Sequence, residues 1–355
     1  RYQVAAATLT AWSRLGILRT DLAPQLYGYE MRFHDDAGHP RRTRGVLGAL
    51  ALPPAGDAGG ANAILPHERT LPKAKSDRLE LLRATRANTD PIWGLSLTDG
   101  LTELLDPLGN AAAVCTDDEG VAHELFPIQE PDRIEAIRAA VARSSVVLAD
   151  GHHRFETACT YRDERLAAGL DDDGAAAIMT LVVELVEHEL SVRAIHRLLD
   201  GIASVDLRIA LRDAFDVIDA GANEPDGVAA LTRHMVDDGA LGLVDRAGLA
   251  LLVPRAEVFA ERLVDVPAEQ RDVDAARFEA GVMPVIPGAR VTYRNDAAAV
   301  AAIVDKGGAD AAVLLRPVTV EQIRRAALAG VRMPQKTTFF HPKLRTGMVF
   351  RSLDD

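Results

Sequence analysis

Hydrophobic and polar positions repeat with helical spacing in several stretches of the first half of this 355-residue chain. The stretches that predict helices are 4–17, 76–87 and 130–143. Two β-rich runs, 26–33 and 45–52, lie on either side of a turn at 36–38, and this arrangement predicts a hairpin. Further strands are expected around 177–185 and 189–195.

From about residue 200 onward, short helical and strand-like segments alternate, which is typical of a further α/β unit. The predicted helices are 226–238, 268–279, 296–306 and 319–329, and the predicted strands are 240–245, 248–253, 290–294 and 310–315. The patterns together predict an α/β fold with mixed sheets. We expect two domains, 1–200 and 201–355, with a C-terminal loop of the second returning to the site of the first.

A short apolar run at 146–149 has the composition of a buried strand, and apolar residues at helical spacing follow from Phe155 to Leu166. The turn between them reads Asp150-Gly151-His152-His153-Arg154. A strand that turns directly into a helix leaves the first N–H groups of that helix without internal partners, and the helix dipole places partial positive charge there. This turn therefore predicts an anion-binding site.

Each side chain of the turn adds to this prediction. Gly151 lets the backbone approach a ligand closely, and Arg154 offers two parallel donors to a phosphate. His152 and His153 donate whether neutral or charged near neutral pH. Asp150 at the strand end suits either a histidine partner or Mg²⁺. The alternative is that Asp150 only caps a helix with exposed polar residues in its first turn, but two histidines and an arginine in succession favour a functional site.

A second group, His67-Glu68-Arg69, follows a loop rich in Pro, Gly and Ala at 53–62. A glutamate in this position is a candidate general base if it reaches a substrate hydroxyl, and an ordinary charged helix start explains the same residues equally well. His67, Glu68, His152 and His153 would also supply ligands to zinc, but their spacing matches no zinc motif.

The third group lies in the C-terminal loop, where Lys336, Thr337 and Lys343 stand among prolines and glycine. Hydroxyls and cations on a rigid loop suit phosphate oxygens, although a solvated basic tail has the same composition. Apolar Met333, Phe339 and Phe340 indicate that the loop packs down onto the protein.

Composition restricts the partners. The net charge of −12 gives no electrostatic reason to bind nucleic acid, and it disfavours anionic membrane surfaces. Two cysteines, Cys115 and Cys159, make no disulfide framework, and we find neither a signal peptide nor an apolar run of membrane-spanning length, so we expect a cytoplasmic protein. The phosphate loop GxxxxGK[ST], the dinucleotide motif GxGxxG and the hydrolase motif GxSxG are absent from the sequence.

Four long stretches of the sequence resemble the family known as DUF1015. They are YGYEMRF, ILPHERTLPKAKSDRLELLRATRAN with PIWGL, ADGHHRFETACTYR and MPQKTTFFHPKLRTG, and the resemblance extends from near residue 10 to the end. The DGHHR stretch is also similar to the phosphate-binding signature of the ParB/sulfiredoxin-like superfamily, which includes free-serine kinases. The resemblance implies a ParB/sulfiredoxin-like N-terminal part, and members of the family carry a further segment before the part matched here.

The function implied by this resemblance is a small-molecule kinase that phosphorylates a free hydroxy amino acid such as L-serine, with ATP, ADP or pyrophosphate as donor and Mg²⁺ as cofactor. Glu68 would be the base, Asp150 and His152 would be catalytic, and Asp150 would hold the metal. Phosphate would be bound by His67, Arg69, Gly151, His153, Arg154, Lys336, Thr337 and Lys343. The alternative is a ParB-like regulatory module that binds or hydrolyses nucleotide.

Two further expectations concern chemistry and assembly. Sulfiredoxin-like thiol chemistry needs a reactive cysteine at the turn, but the turn has histidine and Cys159 lies about two helical turns further on. A homodimer is a possible assembly.

Overall fold

The chain forms two compact units in a computed structural model that describes residues 1–36, 38–54, 64–66, 75–170 and 173–354. The first unit comprises Arg1–Ser191 together with Pro342–Asp355, and the second comprises Val192–His341. The boundary thus precedes the expected one at 200/201, because the strand His196–Asp200 pairs with two strands of the second unit among the described residues. The end of the chain, expected in the second domain, belongs to the first unit.

The described residues of the first unit form five α-helices and ten strands. The helices are α1 (Tyr2–Arg14), α2 (Lys75–Thr85), α3 (Leu101–Leu104), α4 (Pro131–Ala142) and α5 (His152–Ala167). The strands are β1 (Leu26–His34), β2 (Pro40–Ala51), β3 (Ile64–Pro66), β4 (Ala87–Asn88), β5 (Ile92–Ser96), β6 (Ala113–Thr116), β7 (Ala122–Ile128), β8 (Val146–Asp150), β9 (Ala177–Glu184) and β18 (Arg351–Ser352). Short 3-10 helices cover Asp173–Ala176 and Glu187–Glu189.

Eight of these strands form one mixed sheet in the order β3-β8-β5-β9-β2-β1-β7-β6. The pairs β3–β8 and β5–β9 are parallel and the other pairs are antiparallel. The predicted hairpin is confirmed as β1 and β2, with Tyr27 opposite Leu47. β4 pairs separately with β18, so the end of the chain is tied to the first unit.

A compact apolar cluster fixes α5 against the sheet next to β8. Phe155 and Ala158 on α5 pack with Ile92 of β5 and Leu148 of β8, and all four side chains are buried. Burying such side chains contributes roughly 1.5–3 kcal/mol for each large one. The strand–turn–helix predicted at 146–166 is confirmed, and the helix that follows the turn packs against the strand that precedes it.

The second unit contains the remaining elements. The helices are α6 (Leu207–Ala210), α7 (Pro225–Asp237), α8 (Ala256–Arg262), α9 (Asp274–Gly281), α10 (Ala297–Asp305) and α11 (Val320–Leu328). The strands are β10 (Ser191–Arg193), which crosses the boundary, β11 (His196–Asp200), β12 (Phe215–Gly221), β13 (Leu241–Asp245), β14 (Gly248–Pro254), β15 (Arg290–Arg294), β16 (Ala311–Leu314) and β17 (Phe339–His341).

Six strands of the second unit form an antiparallel sheet in the order β12-β14-β13-β16-β11-β15, and β10 pairs with β17. The predicted α/β character is therefore confirmed for the chain. The single helix expected at 268–279 is wrong: a 3-10 helix, Ala268–Gln270, precedes α9, and Val273 between them has an extended backbone.

Candidate functional site

The turn between β8 and α5 depends on a glycine. Gly151 has φ +95° and ψ 23°, a left-handed conformation that L side chains rarely adopt. A Cβ atom at this position would lie 2.7 Å from Cγ2 of Ile92, closer than such contacts allow. Within the described ranges, no side chain caps α5 at this end. The N-terminus of α5 thus follows directly after the strand, and a helix N-terminus favours an anion.

Asp150, the last residue of β8, is held by two cations. Nζ of Lys343 lies 2.8 Å from its Oδ1 atom, and Nη2 of Arg154 lies 2.9 Å from its Oδ2 atom. Burial of this carboxyl alone would raise its pKa, but the charges of Lys343 and Arg154 outweigh burial, so the pKa of Asp150 lies below its ordinary value. Asp150 is therefore ionised at neutral pH.

Arg154 has a second acidic partner that the sequence did not reveal. Its Nη1 atom bonds the carboxylate of Asp90 and lies 2.5 Å from the carbonyl oxygen of Pro91. The hydroxyl of Thr346 donates to the other oxygen of Asp90 over 3.1 Å. The guanidinium predicted to bind phosphate is thus placed between two carboxylates. Asp90 immediately precedes the PIWGL stretch, which is the one feature of the sequence that points to it.

Lys343 and Thr346 belong to residues 342–354, which we call the C-terminal segment. Its backbone is anchored at Arg345, whose N–H donates to the hydroxyl of Tyr29 over 3.2 Å. Tyr29 is buried on β1, and this burial raises its pKa to about 12. The C-terminal segment therefore lies against the turn at Asp150, and phosphate binding by Lys343 stays a prediction.

The two histidines of the motif form the first turn of α5 and are partly buried. The hydroxyl of Thr157 donates to the carbonyl oxygen of His153 over 2.6 Å, as expected inside a helix. His67, Glu68 and Arg69 lie outside the described residues, so their predicted roles stay predictions.

Lys336 and Thr337, also predicted to bind phosphate, belong to the second unit. Buried Arg197 donates to the carbonyl oxygen of Lys336 over 3.0 Å, and Lys336 itself has a positive φ of 56°. The hydroxyl of Thr337 donates to the carbonyl oxygen of Pro334 over 2.6 Å. These two hydrogen bonds, to the carbonyl oxygens of Lys336 and Pro334, both come from residues of the second unit.

The described acidic side chains at the turn are two carboxylates, Asp150 and Asp90. Among the described residues, no three His, Cys, Asp or Glu side chains converge as a metal-binding group. Asp150 and Asp90 lie on either side of Arg154, and Mg²⁺ is usually held by one or two carboxylates together with substrate phosphates. Carboxylates are a ligand type that Mg²⁺ accepts, and in the free protein both are paired with cations of the chain. Burial raises the pKa of the Cys159 thiol, which disfavours the thiolate that sulfiredoxin-like chemistry needs.

The chain has a mixed α/β fold in which a buried strand, a glycine turn and a helix N-terminus form the candidate site, and this arrangement places it among the α/β proteins. The family model described as "Protein of unknown function (DUF1015)" matches residues 1–275, and the chain belongs to this family. A comparison with curated proteins finds no match. Among the described residues, every helix is too short or too polar to cross a bilayer.

Several solved structures are similar to the chain. A conserved hypothetical protein from Pyrococcus furiosus is 12% identical with a TM-score of 0.41, and the match covers 82% of this chain and 92% of that one. A free serine kinase in complex with AMP is 12% identical with a TM-score of 0.40, covering 82% and 93%. C-terminally truncated SbnI from Staphylococcus aureus is 13% identical with a TM-score of 0.39, covering 84% of each chain. Similarity at this level carries no information on activity.

Proposed function

We propose that this protein is a small-molecule kinase that transfers a phosphoryl group from ATP, ADP or pyrophosphate to a free hydroxy amino acid, with L-serine as the preferred acceptor. The observation that carries the proposal is the turn Asp150–Arg154, where a left-handed glycine joins a buried strand to the N-terminus of a helix. The choice of L-serine as the acceptor rests on the resemblance of this turn to that of free-serine kinases.

The charges around the turn support phosphate binding. Phosphoryl transfer needs positioning and cations on the transferring oxygens rather than covalent help from the protein. The N–H groups of the first turn of α5, Lys343 and Arg154 supply positive charge within one small region. A bound phosphate would compete with the Asp150 carboxylate for Lys343, so Lys343 would exchange one anion for another as the donor binds.

The proposed reaction balances as a single displacement. The hydroxyl oxygen of serine attacks the terminal phosphorus of the donor, a new P–O bond forms, and the bond to the leaving phosphate or nucleotide breaks. The hydroxyl proton passes to Glu68, whose role as base is an expectation from the sequence resemblance. Asp150, ionised because its pKa is lowered, would orient the hydroxyl or the metal, and His152 would donate to the transferring group.

Mg²⁺ would be held by Asp150, with Asp90 as the second carboxylate within reach of Arg154. When bound, this ion neutralises charge on the donor phosphates. The helix N-terminus would bind phosphate. Lys343 and Thr346 of the C-terminal segment would orient the carboxylates of Asp150 and Asp90.

The test is a phosphorus NMR assay of the protein with Mg²⁺ and L-serine, run in parallel with ATP, ADP and pyrophosphate. Phosphoserine formed from one donor supports the kinase and identifies that donor. The Asp150→Asn variant should lose the signal, whereas Asp118→Asn, at an exposed aspartate in a surface turn, should retain it.

Donor binding without any product would overturn the kinase proposal. That result would favour the regulatory module, in which nucleotide binding itself is the function. Isothermal calorimetry with the same three donors distinguishes such a regulatory module from a protein that binds none of them.

A further inference from the structure

We propose that Asp117, His123 and Tyr29 form a positioning relay that fixes the backbone of Arg345 and thereby keeps Lys343 at Asp150. The link from this relay to catalysis rests on the proposed function, because Lys343 would serve the bound phosphate. The relay itself is a property of the free protein. None of its three members belongs to the DGHHR motif or touches its residues directly in the contacts described above.

The three side chains form a continuous chain of hydrogen bonds through the interior of the first unit. The hydroxyl of Tyr29 lies 2.9 Å from Nδ1 of His123, and Nε2 of His123 lies 3.2 Å from Oδ2 of Asp117. Tyr29 on β1 is 2% exposed, and His123 on the neighbouring strand β7 is fully buried. Polar groups at such depth are held in one arrangement, because leaving any of them unpaired carries a large desolvation penalty.

The groups at the two ends of the relay, the Arg345 amide and the Asp117 carboxylate, determine which atom donates in each of its hydrogen bonds. The backbone N–H of Arg345 can only donate, so the hydroxyl oxygen of Tyr29 accepts from it. Burial alone would raise the pKa of the Asp117 carboxyl, but bonds from Val121 N–H and His123 outweigh it, so the pKa is lowered and the ionised carboxylate only accepts. A neutral His123 ring must therefore donate from Nε2, which leaves Nδ1 to accept the hydroxyl proton of Tyr29.

Asp117 is itself locked by the tight turn between β6 and β7. Its Oδ1 atom accepts from the N–H groups of Glu119 and Val121, each over 2.9 Å. Oδ2 is the oxygen that faces His123. The far end of the relay is thus part of a rigid hairpin, and this rigidity is transmitted to Tyr29.

The near end of the relay acts on the C-terminal segment. Arg345 lies between two residues that contact the site: Lys343 bonds Asp150, and Thr346 bonds Asp90. Fixing the Arg345 amide therefore fixes the point from which both side chains extend. The relay explains why a buried tyrosine hydroxyl, a histidine and a carboxylate are aligned toward a polar loop.

The first test is hydrogen exchange of the free protein, read by mass spectrometry on peptides that cover the C-terminal segment. In Tyr29→Phe the Arg345 amide loses its acceptor, and we expect exchange in this segment to become at least about fivefold faster. The matched control is Tyr27→Phe on the same strand, which removes a hydroxyl bonded to Gln25 over 2.8 Å and should leave the C-terminal segment unchanged. Equal exchange in wild type and Tyr29→Phe, or equal acceleration in both variants, overturns the relay.

A second test changes Asp117, at the far end of the relay, so that the hydrogen bonds of His123 reverse their direction while the core stays intact. In Asp117→Asn, the two backbone N–H groups retain the side-chain oxygen, so the amide nitrogen faces His123 and donates to it. Nitrogen NMR of the His123 ring should show the proton on Nε2 in wild type and on Nδ1 in the variant. A wild-type proton on Nδ1 would contradict the direction inferred above.

The last measurement separates this inference from the proposed function. If the protein is the proposed kinase, Tyr29→Phe should raise the donor KM by about three- to tenfold with kcat within about twofold, as expected when uniform binding is lost. Unchanged KM with faster exchange would break the link between the relay and Lys343. If no donor is turned over at all, the proposed function fails, while hydrogen exchange and nitrogen NMR still decide the relay.

Discussion

The ammonium nitrogen of Lys343 lies 2.8 Å from Oδ1 of Asp150, across 193 positions of sequence. Their pairing joins the C-terminal segment to the end of a buried strand and places a cation beside the N-terminus of α5. The site of the first unit is therefore built from the middle and from the end of the chain.

Gly151→Ala should destabilise the protein by more than the left-handed backbone alone explains. The backbone conformation costs about 1–2 kcal/mol for a residue with Cβ, and the overlap with Ile92 adds about 1–3 kcal/mol. Gly169→Ala is the matched control, because Gly169 has φ +70° and a Cβ there would meet nothing within 4 Å. Denaturant unfolding measures both; equal losses would show that Ile92 does not restrict the turn.

Lys343→Met should raise the pKa of Asp150 toward its ordinary value, because the opposing charge is lost. In wild type the lowered pKa stabilises the fold above the ordinary aspartate pKa of about 3.9, and this contribution disappears as the pH falls below that value. In the variant the acid-dependent loss of stability should be smaller. Carbon NMR of the Asp150 carboxyl measures the titration, with Lys306→Met, at an exposed position, as control.

Arg154→Ala should lower both stability and the affinity for pyrophosphate. The variant leaves Asp90 and Asp150 without their shared cation, a loss of about 1–3 kcal/mol for hydrogen bonds to charged groups. Arg154→Lys retains the charge but cannot bond both carboxylates at once. Its stability should therefore lie between that of the wild type and that of Arg154→Ala. Calorimetry that finds unchanged pyrophosphate affinity in Arg154→Ala would remove this residue from the phosphate site.

Glu68→Gln should lower kcat by about 100-fold or more while the donor Kd stays within about twofold, because a general base acts in the transition state rather than in binding. Glu119→Gln, at an exposed turn position, is the control for loss of a carboxylate. Normal turnover in Glu68→Gln would exclude this residue as the base.

His196 should make the protein less stable in mild acid. Burial and the charge of Arg197 lower its pKa from 6.5 to about 4, and its Nδ1 atom accepts the Leu315 N–H. The unfolded chain binds a proton below about pH 6.5 and the folded chain only near pH 4, so stability falls as the pH drops through this range, on the order of 2–3 kcal/mol between pH 7 and 4.5.

Two variants check this assignment. His196→Asn retains an acceptor without titrating, so its stability should depend less on pH over the same range. His188→Gln removes an exposed histidine and should behave like wild type. An unchanged pH dependence in His196→Asn would show that His196 is not the group responsible.

Local patterns predicted those parts of the fold in which each segment determines its own structure. The hairpin of β1 and β2, the helix α4 and the turn from β8 to α5 follow from periodicity and turn residues. β5 was missed because Gly94 and Ser96 interrupt its short run, so it lacks the unbroken apolar pattern that marked β8. β12 was missed as well: it lies at a sheet edge, where exposure is irregular.

The partners within the site were less accessible from sequence. The DGHHR motif marks the turn, but nothing in its spacing selects Asp90, 64 positions earlier, as the partner of Arg154. The Tyr29–His123 contact joins residues 94 positions apart, each of which resembles an ordinary strand residue. Such pairings can be predicted only when the sheet order is known, because long-range contacts depend on topology rather than on local preference.

The assignment of the C-terminal segment to the first unit also has a consequence during synthesis. A ribosome releases the strands β1 to β9 long before it releases Lys343 and Thr346. Domains generally fold from the N-terminal end as the chain emerges, so the first unit can form its sheet early while its site still lacks Lys343 and Thr346. The finished site thus appears only after the whole second unit has left the ribosome, and a chain cut short by translational arrest would fold without it.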